Sequence, residues 1–126
     1  MGSLGGGDLV VGVGLRDGVG PDAVLDAISA VVDDPTELHA LATLERKATE
    51  SSVAIAAAEL GVPVLGYTAD ELAAVHVPSP SGRVADAVGT PSVAEAAAVL
   101  GSGGGDLVVR KRARDGVTVA LARTVW

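Results

Sequence analysis

The stretch VVGVGLRDGVGPDAVLDAI, residues 10–28, sets Gly12, Gly14, Gly18 and Gly20 between an apolar run and a segment with helical spacing. Two readings compete for it: a glycine-rich phosphate cradle, or a tight turn from strand to helix. A Walker A loop ends in a Lys, which meets phosphate oxygens, followed by a Ser or Thr that meets the metal. The corresponding residues here are Pro21 and Asp22. The dinucleotide fingerprint G-x-G-x-x-G is matched only at Gly12 and Gly14, because Asp17 stands at its third position and Gly18 follows one residue late. Glu45 sits where a ribose-binding acid would be expected, but an anionic Asp17 opposes a pyrophosphate. The favoured reading is a turn whose glycines permit unusual dihedrals and close packing of helix on sheet. Arg16 supplies a cation near a helix N-terminus, an arrangement suited to a carboxylate.

Working outward, residues 8–15 form a short Val-rich run bounded by glycines, which predicts a buried strand. Pro21 opens a helix with Asp22 in its first turn and Val24, Leu25, Ile28, Val31 and Val32 on one face, ended by residues 33–35. Residues 38–44 predict a second strand, and the Ala-rich segment 51–61 a helix stopped by Gly61, apolar nearly all round and so packed closely on the sheet. Residues 62–67 predict a third strand. Thr68 and Glu71 have capping-box spacing at the start of a short helix, and the prolines of 76–82 predict a loop. One or two helical turns are expected over 82–88. Ser92 and Glu95 repeat the capping-box spacing ahead of a helix that stops at Gly101. Residues 106–112 and 117–123 are β-rich runs separated by Asp115-Gly116, a hairpin signal.

This order predicts an α/β fold: a three-layer α/β/α single domain on a mixed five-stranded sheet, with three parallel strands and a C-terminal antiparallel hairpin. Residues 1–7 are expected to form a flexible N-terminus and 8–126 the domain. The length of 126 residues suits one core. Its apolar residues are almost all Ala, Val and Leu, with Tyr67 and Trp126 the only aromatic side chains, so the core should be close-packed from small groups.

The chain has no cysteine, which excludes disulfides, thiolate metal sites and cysteine nucleophiles and fits a cytoplasmic protein. Neither a signal peptide nor a membrane-spanning run is evident, and no membrane partner is expected. A net charge of −7 argues against nucleic acid. Against that background, Arg110, Lys111, Arg112 and Arg114 hold four of the nine cationic residues. As a regular strand, this block puts Arg110 and Arg112 on one face and Lys111 on the other. It reads equally as edge-strand protection or as a ligand contact. His39 and His76 show no metal spacing, and neither a metal nor a cofactor is expected.

Ligands of open α/β sheets bind beyond the carboxyl ends of the parallel strands, which here carry Arg16 to Gly20, Glu45 to Glu50, and Tyr67 to Thr68. Lys47, among Glu45, Arg46, Thr49 and Glu50, is either a ligand contact or part of a surface network, the latter favoured. Thr90 and Ser92 read as helix caps before nucleophiles.

In chain order, VGVGLRDGVGPDAVLDAI, LATLERKATESS, LGVPVLGYTADELAAVHVPSPSGRVADAVGTPSVAEAAAVL and GGGDLVVRKRARDGVTVALAR resemble the cobalamin-biosynthesis family of CobE and the C-terminal domain of CbiG. The resemblance runs from about Leu9 to Arg123, and GTPSVAEAAAVL with the basic hairpin is its most specific part. It differs at Leu15, where the family often has Cys before the arginine. The resemblance implies a cytoplasmic protein of cobalamin (vitamin B12) synthesis that binds or handles a polycarboxylate corrin-ring precursor, a tetrapyrrole, alongside other enzymes of the pathway. The implied ligand contacts are Arg16, Gly18, Lys47, Thr90, Ser92, Arg110 and Arg112. Two alternatives stay open: a CbiG-like hydrolase that opens the ring lactone of a precorrin-5A-type intermediate, with Glu45 or Glu50 as the nearest candidate base, and a non-catalytic interaction subunit.

Overall fold

The computed structural model describes residues 7–16, 18–75 and 93–125. Its elements are β1 (Leu9–Leu15), α1 (Pro21–Ser29), a 3-10 turn (Pro35–Glu37), β2 (Leu38–Leu44), α2 (Glu45–Ala48), α3 (Ser51–Leu60), β3 (Val64–Tyr67), α4 (Ala69–Ala73), α5 (Val93–Gly101), β4 (Leu107–Arg114) and β5 (Val117–Arg123). They build an α/β domain on a five-stranded sheet of order β3-β2-β1-β5-β4. β1 pairs in parallel with β2, and β2 with β3, whereas β5 runs antiparallel to both β1 and β4. The expected mixed sheet is therefore present. Its hairpin is inserted so that the last strand lies against the first and β4 forms an edge.

The two faces of the sheet are packed differently, and the alternation of β1 shows why. Val11 and Val13 project to one side and join Leu41, Val119 and Leu121 in a core covered by α1 and α3 through Val24, Ile28, Val53 and Ala56. Val10 and Gly12 project to the other, which α5 covers with Ala94, Ala96, Ala97 and Ala98. β-branched side chains thus build a thick layer beneath α1 and α3, while glycine and alanine let α5 lie almost on the strand. A Cβ at Gly12 would collide with the Ala94 carbonyl, and one at Gly101 would stand 2.8 Å from Val10 Cγ1.

The helix starts follow local chemistry. Gly20 caps α1 in an extended conformation with Pro21 as its first residue, and Thr68 and Glu71 form both bonds of a capping box on α4. The expected cap at Ser92 lies outside the described residues, as do the loop at 76–82, the turns at 82–88 and all of the N-terminal segment except Gly7. The Asp115-Gly116 turn has positive φ at both residues, 51° and 84°, the combination of a type I′ hairpin.

Two expectations need correction, and one segment forms an element that the sequence did not mark. α1 ends at Ser29, so Val31 and Val32 lie beyond it, although Val32 still reaches the core and its N–H donates to the Ile28 carbonyl at 2.9 Å. The charged cluster after β2 forms the short helix α2. α3 is buried on one side only: Ser52, Val53, Ala56 and Ala57 face inward, whereas Ile55 is 46% exposed. Among the described residues the helix buried nearly all round is α5, which lies directly on the glycine face of β1. In β4 the expected alternation holds from Arg110 to Arg112, with both arginines exposed and Lys111 half-buried between them, although the register against β5 shifts between Leu107 and Val109 and again between Val109 and Arg112.

Candidate functional site

β1 runs out at Leu15, and Arg16 begins the turn that leads to α1. The Arg16 N–H donates to the Gly116 carbonyl at 3.0 Å, and the Val19 N–H donates back to the Arg16 carbonyl at 3.4 Å. Gly18 takes φ +85° within this turn, a conformation that L side chains rarely adopt. Gly12 and Gly14 lie inside β1 rather than in a loop beyond it. The opening stretch is therefore a packing strand followed by a glycine turn.

Opposite Arg16, β4 ends in Ala113 and Arg114 before the I′ turn. A cleft of about 400 Å³ lies between the two, lined by Gly14, Leu15 and Arg16 from the β1 end, by Ala113, Arg114, Asp115 and Gly116 from the hairpin, by Thr118, and by Val93 and Ala94 at the start of α5. This volume is within the range of small-molecule sites. The Arg16 stem passes over the turn, since a Cβ at Gly116 would lie 3.8 Å from Arg16 Cδ. Arg114 Nε stands 3.9 Å from Asp115 Oδ2, with both side chains more than half exposed, so that ion pair is weak. The cleft therefore presents two guanidinium groups, one carboxylate and the Thr118 hydroxyl.

The remaining sequence-derived site residues are dispersed. Lys47 is buried on α2, its Nζ 3.2 Å from Glu50 Oε2, and neither residue lines the cleft. Glu45 is exposed and also lies outside the lining, so neither candidate base faces this site. Arg110 and Arg112 are exposed along β4 without reaching the cleft wall, and Gly18 shapes the Arg16 turn without lining it. Thr90 and Ser92 are outside the described residues. Sequence reasoning noted Arg114 but did not select it, and it missed Thr118 and Asp115. The signal available was Asp115-Gly116, which fixes a hairpin whose end adjoins β1 once β5 pairs with that strand, Gly14 lying opposite Thr118.

Among the described residues no cluster of three or more His, Cys, Asp or Glu could hold a metal, and no helix is long and apolar enough to cross a membrane.

The mixed sheet of this order defines an α/β domain of the kind found in cobalamin-biosynthesis proteins. The chain belongs to the family described as Cobalamin synthesis G C-terminus, whose sequence model matches residues 9–122. It is similar to the crystal structure of CobE, a protein from the cobalamin (vitamin B12) biosynthetic pathway, with 31% identity, a TM-score of 0.80, and coverage of 99% of this chain and 93% of that one. It is also similar to the cobalamin biosynthesis protein chiG from Agrobacterium tumefaciens, with 34% identity, a TM-score of 0.72, and coverage of 94% and 99%. A putative cobalamin biosynthesis protein G homolog from Sulfolobus solfataricus shares the fold at 22% identity and a TM-score of 0.73, over 92% of this chain and 36% of that one. No curated protein sequence matches.

Proposed function

We propose that this chain binds a polycarboxylate corrin-ring precursor at the cleft between β1 and the β4–β5 hairpin, and handles it for other enzymes of cobalamin synthesis in the cytoplasm. The observation that carries the reading is the meeting of Arg16 and Arg114, from opposite ends of the chain, on one cleft of about 400 Å³. Guanidinium groups bind carboxylates through paired N–H donors, and a corrin precursor carries carboxylates around its rim. Arg112 and Arg110, exposed farther along the same strand, extend the positive surface away from the cleft. The similarity to CobE and chiG, both named for cobalamin biosynthesis, supports this ligand class over other polyanions.

The test is an absorbance titration of the protein with cobyrinic acid, a corrin with free side-chain carboxylates, and with its amidated counterpart, at low and high salt. Salt-sensitive binding of the acid alone is the expected result. Equal binding of both forms, or of neither, overturns the reading.

A further inference from the structure

The described lining of the cleft holds two cations, Arg16 and Arg114, and one acid, Asp115. A corrin precursor carries more carboxylates than two guanidinium groups can pair, and each one taken from water without a partner is costly. Most of its charged rim must therefore stay in solvent. Size leads to the same conclusion. Clefts of about 300–1,000 Å³ enclose a drug-sized ligand, and this one measures about 400 Å³. A corrin with its fringe of side chains exceeds a drug-sized ligand, so only part of it can enter.

The floor indicates which part. Thr118 stands opposite Gly14 on β1 and opposite Ala113 on β4, and directly opposed residues of antiparallel strands project to one face. Gly14, Thr118 and Ala113 thus form a row across three strands, about 10 Å long at the usual strand spacing of about 4.8 Å. It lies on the side of α5, since a Cβ at Gly14 would stand 3.7 Å from Val93. No side chain in the row is larger than that of threonine. We infer that the cleft recognises a single edge of the macrocycle: one five-membered ring rests on this row, and its neighbouring acetate and propionate side chains meet Arg16 and Arg114. The rest of the macrocycle projects into solvent, open to a second protein. Ring-edge recognition deepens the corrin-binding reading and rests on it.

The test adds to the protein a pyrrole bearing an acetate and a propionate on adjacent carbons, its dimethyl ester, and glutarate, which has two carboxylates and no ring. Displacement of cobyrinic acid is followed by absorbance, and direct binding by the amide NMR shifts of Gly14, Ala113 and Thr118. The pyrrole diacid should displace cobyrinic acid at millimolar concentration, one molecule per chain, and shift all three amides. Glutarate should bind more weakly, and the ester not at all. Gly14→Ala adds a methyl group to the row without changing charge, and should weaken both the pyrrole diacid and cobyrinic acid about tenfold, the scale of one methylene in a tight pocket. Cobyrinic acid binding that the pyrrole diacid cannot displace overturns the inference and leaves the binding function standing. So does glutarate or the ester binding as well as the pyrrole diacid, or full affinity of Gly14→Ala for both ligands. Binding of the pyrrole diacid at the three amides without binding of cobyrinic acid overturns the corrin reading and upholds recognition of a single ring. Absence of binding by either ligand overturns both.

Discussion

The backbone N–H of Arg16 donates to the carbonyl of Gly116 at 3.0 Å, tying the end of the first parallel strand to the turn of the C-terminal hairpin. This bond fixes one wall of the cleft against the other, so the two arginines face a ligand from a braced frame. Both guanidinium groups remain open to solvent, which leaves them available to an anion.

Arg16→Ala and Arg114→Ala should each weaken cobyrinic acid binding by about tenfold to a hundredfold, the equivalent of one lost hydrogen bond to a charged group. Their unfolding free energies should stay within about 0.5 kcal/mol of wild type, because neither side chain is buried. Absorbance titration and urea denaturation on the same samples check both parts. Wild-type affinity in both variants would remove these residues from the site.

Gly12→Ala should destabilise the protein by about 1–3 kcal/mol or prevent folding, since its methyl group collides with the backbone of α5 and a packed layer cannot yield without strain. Gly14→Ala is the control. The nearest atoms to its added carbon belong to Val93 at 3.7 Å, an ordinary contact, so its stability should change by less than about 1 kcal/mol. Denaturant midpoints separate the two.

Gly116→Ala should cost about 1–2 kcal/mol, because φ is +84° there and the new carbon meets Val19 Cγ2 at 3.1 Å. Asp115→Asn, which tolerates the same left-handed conformation, should be close to neutral. Thermal unfolding gives the comparison, and equal melting temperatures for Gly116→Ala and wild type would refute the turn assignment.

Glu50→Gln should lower stability by about 1–2 kcal/mol while leaving cobyrinic acid affinity unchanged. It removes the carboxylate 3.2 Å from a Lys47 side chain that is only 11% exposed. A loss of affinity without a loss of stability would instead return Lys47 to the ligand site.

The phenol of Tyr67 is held above its ordinary pKa, first by burial and then by the negative charge of Glu71. Its neutral form is favoured by the fold, so the associated stability is fully present below about pH 10, the unfolded value, and is lost as pH rises through the folded value. The chain has one tyrosine, which makes phenolate absorbance a direct reading of this group. Glu71→Gln should move the titration toward the ordinary value, and Tyr67→Phe should flatten the alkaline loss of stability.

The features legible in the sequence are those that a few neighbouring residues determine. Pro21 after Gly20, Thr68 with Glu71, and Asp115 with Gly116 locate element ends because each fixes dihedrals or backbone hydrogen bonds within one turn. Period and residue type likewise mark the alternation of strand and helix, and the quoted motifs mark the cobalamin-biosynthesis family. Tertiary structure decided what depends on approach between distant segments. It placed Gly12 beneath α5 rather than beside a phosphate, buried α5 where α3 was expected to be enclosed, and brought Arg114 rather than Arg110 or Arg112 to Arg16. The reason is physical: a strand's period states which side chains share a face, but only pairing and packing state which strand lies next to it and where a bulge shifts the register.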